Sequence, residues 1–407
     1  MSKKQRPALL ILNQMAGPMT WELAEDLGEA MNGVALLTGH PDTLQKEHPY
    51  VELHPAAPYQ RSSFARRALS WLHYCLQALI WLWRQPAEIP LLLFSNPPIL
   101  CWLGYLLKRL RGTPYAVMIH DIYPDIPVHM GHLSESHPIV RLWRRFNRRA
   151  YESASVVMTL GEYMAQTLET QFDPTQTPAG RIEIIYPWVD IEKIRPIPKE
   201  DNWFAQKYDQ VGKLTVMYSG NMGLGHDIET MLEAARQLRD EPRIHFMFIG
   251  AGPKWSLVET ALQSEHLPNV TLLPWQDEAV IPYSLATADV ALVSLEPGME
   301  GLAIPSKAIY AMAAGSKIVV LAENHNELNN WLRIEGDNNL EQPPPAKRLN
   351  DLLSGLLHSK NSVLAQQHTR ELAVQKFQRK LATNRLYHVL RTAENFDFEI
   401  QNAFQNT

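Results

Sequence analysis

The feature that most constrains this chain is a repeated alternation of short apolar runs, small-residue loops and helical segments. Five-residue runs at 8–12, 34–38 and 115–119 are almost wholly apolar, and a loop with Gly, Asn, Pro or His follows each of them. Continuous apolar strands are typical of parallel sheets that helices cover on both faces. We therefore expect an α/β protein built from parallel sheets.

The alternation occurs twice, with a break between the two series. Pro187, Pro196 and Pro198 interrupt the pattern, which restarts with a strand predicted at 214–219. The predicted organisation is an N-terminal Rossmann-like domain at 1–190, a linker at 191–212, a C-terminal Rossmann-like domain at 213–370, and a helix and tail at 371–407 that pack back on the N-terminal domain. Because such sheets bind ligands outside the carboxyl ends of their strands, both domains are expected to face a central cleft.

Composition excludes several classes of protein. Hydrophobic residues make up 45% of the 407 residues and charged residues 20%, which is typical of a folded globular chain. Cys75 and Cys101 are the two cysteines, and both lie in apolar runs, so a disulfide framework is excluded and a reducing, cytoplasmic compartment is expected. No His, Cys or Asp cluster has the spacing of metal ligands, and neither a metal nor a cofactor is expected.

The net charge of -5 argues against a nucleic-acid partner, but the charge is unevenly distributed. Residues 61–150 contain twelve Lys and Arg residues and four acids, so this segment is basic within an acidic chain. A local basic region of this kind indicates a partner of opposite charge or a solvated face.

Two glycine-rich loops follow strands in the second half of the chain. The loop at 220–227 contains Gly220, Gly223 and Gly225 before a helix, an arrangement in which backbone N–H groups bind anions. A tight turn capped by Asp227 explains the same pattern. Gly250 and Gly252 suggest a dinucleotide fingerprint, but Trp255 replaces its third glycine, and a structural glycine turn is favoured.

The loop at 295–308 combines an acid, glycines and a helix start. Glu300 precedes Gly301, and Pro305 is expected to begin a helix whose first turn contains Ser306 and Lys307. Free N–H groups, a hydroxyl and an ammonium together suit a diphosphate, and Glu300 suits sugar hydroxyls. An ordinary capped helix is the alternative.

Seven motifs in order along nearly the whole chain resemble glycosyltransferase family 4, which has the GT-B fold. They are Asn96-Pro97-Pro98, the segment 120–125 (HDIYPD), the segment 187–190 (PWVD), the segment 218–223, the segment 250–253, Pro274-Trp275-Gln276, and Pro305-Ser306-Lys307 with Ala313-Ala314-Gly315. The chain is most similar to the branch that builds bacterial surface polysaccharides and glycolipids.

This resemblance implies a retaining transferase that moves a sugar from a nucleotide-sugar donor to a hydroxyl acceptor. His120 matches the histidine near the reacting carbon, and Glu300 matches the first glutamate of the Glu-x7-Glu signature. The chemistry of the reaction suggests that Asp121 orients the acceptor hydroxyl or helps as a base, and a cap of the turn at Pro124 is the alternative. The expected donor-binding residues are Gly17, Gly220, Asn221, Gly223, His226, Gly250, Gly252, Trp275, Gly301, Pro305, Ser306 and Lys307. No metal is expected, so charge on the diphosphate would fall to Lys307, N–H groups and His226.

Departures from the family pattern keep other functions open. The second signature glutamate is replaced by Ala308, and the usual Arg and Lys are missing from the loop at 220–227. The alternatives are a non-catalytic paralogue that binds a glycan or a protein partner, and a sugar-nucleotide epimerase.

An apolar helix predicted at 68–83 suggests a membrane partner. At about 1.5 Å per residue it is too short to span a bilayer, so it is either buried against the first sheet or lies in a membrane interface. A stripe of arginines at 141–149 would meet anionic lipid. The expected membrane or acceptor residues are Arg66, Arg67, Trp71, Arg144, Arg145 and Arg148, on an enzyme peripheral to the inner face of the cell membrane with a lipid-linked acceptor.

Overall fold

The computed structural model describes residues 6–60, 63–172, 182–295, 298–321, 326–332, 346–358, 362–394 and 396. The chain divides into two compact units. The first consists of Met1–Tyr186 with Gly301–Ala303 and Lys380–Thr407, and the second of Pro187–Glu300 with Ile304–Arg379. The end of the predicted segment 371–407, beyond residue 396, lies outside the described residues.

The first unit contains a seven-stranded sheet in which every neighbouring pair of strands is parallel. Its strands are β1 (Leu9–Leu12), β2 (Val34–Thr38), β3 (Val51–Pro55), β4 (Leu91–Phe94), β5 (Tyr115–Ile119), β6 (Val156–Thr159) and β7 (Ile182–Ile184). The strand order is β3-β2-β1-β4-β5-β6-β7.

Six helices of the first unit connect these strands. They are α1 (Pro18–Met31), α2 (Phe64–Trp83), α3 (Leu100–Arg111), α4 (Asp125–His129), α5 (Pro138–Ser153) and α6 (Glu162–Glu169). The predicted helix at 68–83 begins four residues earlier, because Ser63 caps the first turn by accepting a hydrogen bond from the Arg66 N–H.

The second unit contains a five-stranded parallel sheet. Its strands are β8 (Leu214–Asn221), β9 (Ile244–Ala251), β10 (Val270–Leu273), β11 (Val290–Ser294) and β12 (Lys317–Leu321), in the order β10-β9-β8-β11-β12. Its helices are α7 (Trp203–Lys207), α8 (Ile228–Gln237), α9 (Trp255–Ser264), α10 (Ile281–Ala286), α11 (Lys307–Ala313), α12 (Glu327–Leu332), α13 (Ala346–His358) and α14 (Ser362–Lys376). The next helix, α15 (Arg379–Thr392), belongs to the first unit from Lys380 onward.

Both sheets have the topology of a Rossmann fold. In each, the order reverses beside the first strand of the series, between β1 and β4 in one sheet and between β8 and β11 in the other. The prediction of two Rossmann-like parallel-sheet domains is therefore confirmed. Ligands of such sheets bind at the reversal point, next to the carboxyl ends of these strands.

Candidate functional site

In the first unit, hydrogen bonds from backbone N–H groups connect the loops that follow the central strands. Ser95, directly after β4, accepts hydrogen bonds at Oγ from the N–H groups of His120 (2.9 Å) and Asp121 (3.3 Å). The Gln14 N–H, after β1, donates to the carbonyl of Asn96 at 2.8 Å. The ends of β1, β4 and β5 are thereby held at one edge of the sheet.

His120 is a neutral imidazole with one ring nitrogen unused. Its ring packs edge-on against Phe94, with the centroids 5.2 Å apart. Its Nε2 is buried and has no hydrogen-bond partner among the described residues. Burial lowers the pKa of His120 to about 4, so the side chain is uncharged near pH 7. A neutral imidazole can donate a hydrogen bond to a ligand or accept one from it, and it adds no positive charge to the site.

Asp121 is adjacent to His120 and has the opposite shift. Burial raises the pKa of Asp121 to about 6, which places its titration close to neutral pH. A carboxylate in this range is suited to orient a hydroxyl or to accept its proton. Beside it, Asn96 Oδ1 is also buried without a partner among the described residues.

Gly17 is the residue immediately before α1, and its backbone does not require glycine. Its φ is -73°, and a Cβ added there would meet no neighbouring atom closer than Met15 O at 4.0 Å. The absence of a side chain leaves space in front of α1, which is consistent with the predicted close approach of a ligand.

In the second unit, Tyr218 on β8 joins the glycine loop to α11. Lys307 Nζ donates to Tyr218 Oη at 2.8 Å and lies 4.3 Å from the centre of the ring. Tyr218 Oη in turn donates to the Asn221 carbonyl at 2.5 Å. His226 Nδ1 is 2.6 Å from Tyr218 Oη and 2.7 Å from Asn221 O. The predicted residues Asn221, His226 and Lys307 are thus brought together around one phenol.

The basic groups of this cluster have lowered pKa values. Burial, with Lys307 and Lys254 nearby, lowers the pKa of His226 to about 4, so His226 is neutral near pH 7 in the ligand-free protein. Burial lowers the pKa of Lys307 to about 7. Lys307 forms no ion pair with any described residue. Its ammonium is therefore without a counter-ion until an anion binds.

Gly250 and Gly252 allow a close approach between two backbone segments. Their φ angles are 142° and 143°, and an added Cβ would lie 2.0 Å from Gly220 O and 2.5 Å from Met222 O, respectively. Only glycine permits this approach of the β9 turn to the loop after β8. The structural explanation favoured from the sequence therefore accounts for both residues, and a direct role in donor binding stays a prediction.

The remaining predicted donor residues are placed as follows. Glu300 Oε1 is buried and has no partner among the described residues. Helix α11 begins at Lys307, two residues later than expected, and the exposed Ser306 is its N-cap without a side-chain hydrogen bond. Ala308 is fully buried, and its methyl side chain has no polar atom for a ribose. Gly223 lies beside Asn221 and His226, and Gly220 lies beside Lys307. Trp275, after β10, is exposed, and Pro305 is half-buried. Gly301 has a φ of 75° and belongs to the first unit.

The predicted membrane residues are only partly available to a lipid. Trp71 is buried, with 5% of its surface exposed, so the lipid contact expected of it is wrong. Arg144 forms ion pairs with Asp125 (2.7 Å) and Glu135 (3.1 Å), which neutralise it.

The other predicted arginines differ in their surroundings. Arg67 is half-buried and interacts electrostatically with the Tyr123 hydroxyl. Arg148 donates to the carbonyl of Gln171 at 3.0 Å. Arg66 and Arg145 are exposed.

Sequence analysis missed the two residues that organise these sites, Ser95 and Tyr218. Ser95 had a signal, since it is the first polar residue after β4. Tyr218 begins the family-like segment 218–223, but no role at the site was assigned to it, because an aromatic residue within an apolar strand indicates a core position.

No group of three or more His, Cys, Asp or Glu residues in the described ranges is arranged to hold a metal ion. None of the helices described is long and apolar enough to cross a bilayer.

Comparison with known proteins identifies the class. The model for Glycosyltransferase Family 4 matches residues 16–193, and the model for Glycosyl transferases group 1 matches residues 213–347. WbjE of Pseudomonas aeruginosa, named as a glycosyltransferase, is 28% identical over 291 residues, which are 70% of this chain and 72% of WbjE. WcaI of Escherichia coli, named as a colanic acid biosynthesis glycosyl transferase, is 28% identical over 57% of each chain.

Solved structures agree with this result at the level of the fold. HepE of Anabaena in complex with UDP has a TM-score of 0.70 at 16% identity, covering 94% of this chain and 99% of HepE. The protein is thus a glycosyltransferase of the GT-B class, with two Rossmann-like domains. Both family models together cover most of the chain, so the chain belongs to glycosyltransferase family 4.

Proposed function

We propose that this enzyme transfers a hexosyl residue from a nucleotide-sugar donor to a hydroxyl of a lipid-linked glycan or glycolipid, with retention of the anomeric configuration and without a metal ion. The second unit holds the donor, and the first unit holds the acceptor.

The observation that carries this proposal is the half-buried ammonium of Lys307. It lies at the carboxyl end of β8, its hydrogen-bond partner is the neutral Tyr218 phenol, and no described acid compensates its charge. Holding a cation there costs free energy unless an anion binds. The diphosphate of a nucleotide sugar is a suitable anion, because its negative charge increases as the sugar leaves.

Two solved structures of similar fold support a nucleotide sugar as the donor. HepE of Anabaena is described in complex with UDP and in complex with UDP-glucose. Glu300 Oε1 and His120 Nε2, two buried acceptor or donor atoms without described partners, are the proposed contacts to the sugar.

The proposed chemistry is a same-face displacement. The bond between the anomeric carbon and the diphosphate breaks, and a bond from the acceptor oxygen to that carbon forms on the same face. The acceptor proton passes to an oxygen of the leaving diphosphate, and Asp121 orients the acceptor hydroxyl. Positive charge on Lys307 stabilises the leaving group, an effect of about 3 kcal/mol for a well-placed donor.

The proposed location is the cytoplasmic face of the membrane, where a lipid-linked acceptor is available. Cys75 and Cys101 are both free thiols, as expected of a protein in a reducing compartment. The name of WcaI refers to colanic acid biosynthesis, which supports a polysaccharide or its lipid-linked precursor as acceptor.

The test is a panel of nucleotide sugars with purified protein, in which release of free nucleoside diphosphate is measured with and without a lipid extract. We expect release with one donor class, and a loss of donor affinity of about tenfold or more for Lys307→Gln. Lys347→Gln, an exposed lysine on α13, is the matched control. Release from no nucleotide sugar, together with no binding of any nucleoside diphosphate, would contradict the proposal.

A further inference from the structure

Three neighbouring helices of the first unit expose an unusual number of large apolar side chains. Sixteen large hydrophobic residues are exposed in the described part of the chain, and nine of them lie on α2, α3 and α5. We define the apolar face as the seven on α2 and α3, which are Leu69, Leu72, Leu76, Ile80, Trp83, Leu106 and Leu110.

On α2 these side chains form one stripe. The members from Leu69 to Trp83 recur at intervals of three or four residues, so they lie along one side of the helix, and each is 48–64% exposed. The opposite side of α2 is also apolar, with Trp71 and Tyr74 buried against the unit and the Tyr74 hydroxyl donating to Leu37 O at 2.8 Å. A helix that is apolar on both sides and open to solvent on one indicates an interaction surface.

The apolar face is held in a defined shape. Arg111, the last residue of α3, donates to the carbonyls of Leu82 (3.0 Å) and Gln85 (2.8 Å) at the end of α2. Its guanidinium also lies 5.1 Å from the centre of the Trp83 ring. These bonds fix the carboxyl ends of α2 and α3 beside each other.

The helices around the apolar face carry mostly positive charge. Helices α2, α3 and α5 together contain ten Lys and Arg residues and one acid, Glu152, in a chain whose net charge is -5. Arg66 and Arg84 stand exposed at the two ends of α2, and Arg109 is exposed on α3 between Leu106 and Leu110. An apolar surface bordered by cations matches the anionic headgroups and the acyl boundary of a bilayer.

We propose that the apolar face of α2 and α3 inserts into the interface of an anionic lipid bilayer, with the bordering arginines contacting lipid phosphates. The proposal rests on the proposed function in one respect, since a lipid-linked acceptor would be met at the same surface. A second copy of this chain is the less suitable occupant, because a twofold contact would place these cations opposite one another.

The docking residues differ from those expected from the sequence. The aromatic residues Trp71 and Tyr74 are buried, and Arg144 of α5 is neutralised by its ion pair. The proposed lipid contact is instead the exposed stripe of α2, which sequence analysis did not single out.

The experiment is vesicle flotation with the full chain at low salt. Wild-type protein is expected to float with vesicles of phosphatidylethanolamine and phosphatidylglycerol, and less with pure phosphatidylcholine. The double variant Leu72→Ser/Leu76→Ser should bind at least about tenfold more weakly, because two exposed leucines no longer leave water. The matched control is Val211→Ser/Leu381→Ser, which changes two exposed apolar residues elsewhere and should float like wild type.

Two outcomes overturn the proposal. One is wild-type protein that stays at the bottom with anionic vesicles, or a Leu72→Ser/Leu76→Ser variant that floats as well as wild type. The other is a wild-type dimer in sedimentation equilibrium that the same variant dissociates, without vesicle binding, which would assign the face to a second copy. Release of nucleoside diphosphate in detergent-free buffer separates this proposal from the proposed function, since the variant should keep that activity.

Discussion

Burial shifts the pKa values of several groups at the candidate sites toward the uncharged form. Loss of hydration disfavours a charge, so burial lowers the pKa of His120 to about 4, raises that of Asp121 to about 6 and lowers that of Lys307 to about 7. His120 is therefore neutral in the working range of pH, while Asp121 and Lys307 titrate near it. Their positions at strand ends make these shifts functionally relevant.

For Lys307, we expect donor affinity to depend on pH. A bound diphosphate favours the ammonium, so above pH 7 binding must take up a proton, and the Kd for a nucleoside diphosphate should rise about tenfold per pH unit. Below pH 7 Lys307 is already charged, and this contribution should disappear. Isothermal titration between pH 6.5 and 8.5 measures it.

The control for this prediction is Lys307→Arg, whose charge does not titrate and whose Kd should be nearly constant over the range. The ligand-free protein provides an independent check. Because the folded pKa lies below the ordinary value of 10.5, the unfolded chain binds more protons between pH 7 and 10.5, and stability should rise with pH in that window. Lys307→Met should remove this part of the pH dependence; an unchanged profile would contradict the shifted pKa.

For His120, we expect His120→Ala to lower kcat by about 10²-fold, because its unused Nε2 would no longer contact charge developing at the sugar. Glu300→Gln should mainly weaken use of the donor. A His120→Ala variant that loses melting temperature but keeps its turnover per folded molecule would show that His120 only supports the strand turn.

For Asp121, we expect kcat to fall as the pH drops below about 6, because protonation removes the acceptor-orienting carboxylate. Asp121→Asn should have a low kcat without this fall. An identical pH profile in wild type and variant would exclude Asp121 as the titrating group.

At the scale of elements, glycines that look alike in sequence have different roles. Gly250 is required because the end of β9 passes within reach of Gly220 O at the end of β8, whereas Gly17 before α1 has an ordinary backbone angle and open space. Edge position also explains a missed element. Strand β3 was not predicted because it pairs only with β2, and its residues after Val51 are not fully buried, so the continuous apolar signal is absent.

We expect Gly250→Ala to destabilise the protein by about 3 kcal/mol or more, since its φ is unfavourable for alanine and its Cβ would clash with Gly220 O. Gly17→Ala should stay within about 0.5 kcal/mol of wild type in unfolding free energy. Urea denaturation of both variants measures the difference. Equal stability of the two variants would contradict the backbone role of Gly250.

At the scale of the whole molecule, two units of similar architecture have different residues at equivalent strand ends. The first unit presents a neutral imidazole and a carboxyl group near its reversal point, and the second presents a lysine without a counter-ion. This division of chemistry is the physical basis for assigning the donor diphosphate to the second unit.

Calorimetry of the full chain tests that assignment. A nucleoside diphosphate at 100 times its Kd should stabilise the unit that binds it by about 2.7 kcal/mol. We expect the transition of the second unit to move to higher temperature, and a tenfold loss of affinity in Lys307→Gln should reduce the stabilisation at the same ligand concentration to about 1.4 kcal/mol. An undiminished shift in Lys307→Gln would place the diphosphate elsewhere.

The sequence by itself determined the fold class, since continuous apolar strands such as β2 and β5 are recognisable from their burial on both faces and recur in two series. It also indicated most candidate site residues, because polar and glycine-rich loops after such strands meet at one edge of a sheet. Boundaries set by local capping, as at Ser63, were less accurate.

The tertiary structure alone decided the state and orientation of those residues. Whether His226 is charged depends on the burial and the neighbouring lysines that folding imposes, and the pairing of Tyr218 with Lys307 joins residues far apart in the chain. In the same way, apolar residues are spread around most of α2 in sequence, and only packing within the first unit determined that Trp71 is buried while Leu72 and Leu76 stay exposed. Periodicity identifies which residues share a face of a helix, but the direction of that face is set by long-range contacts.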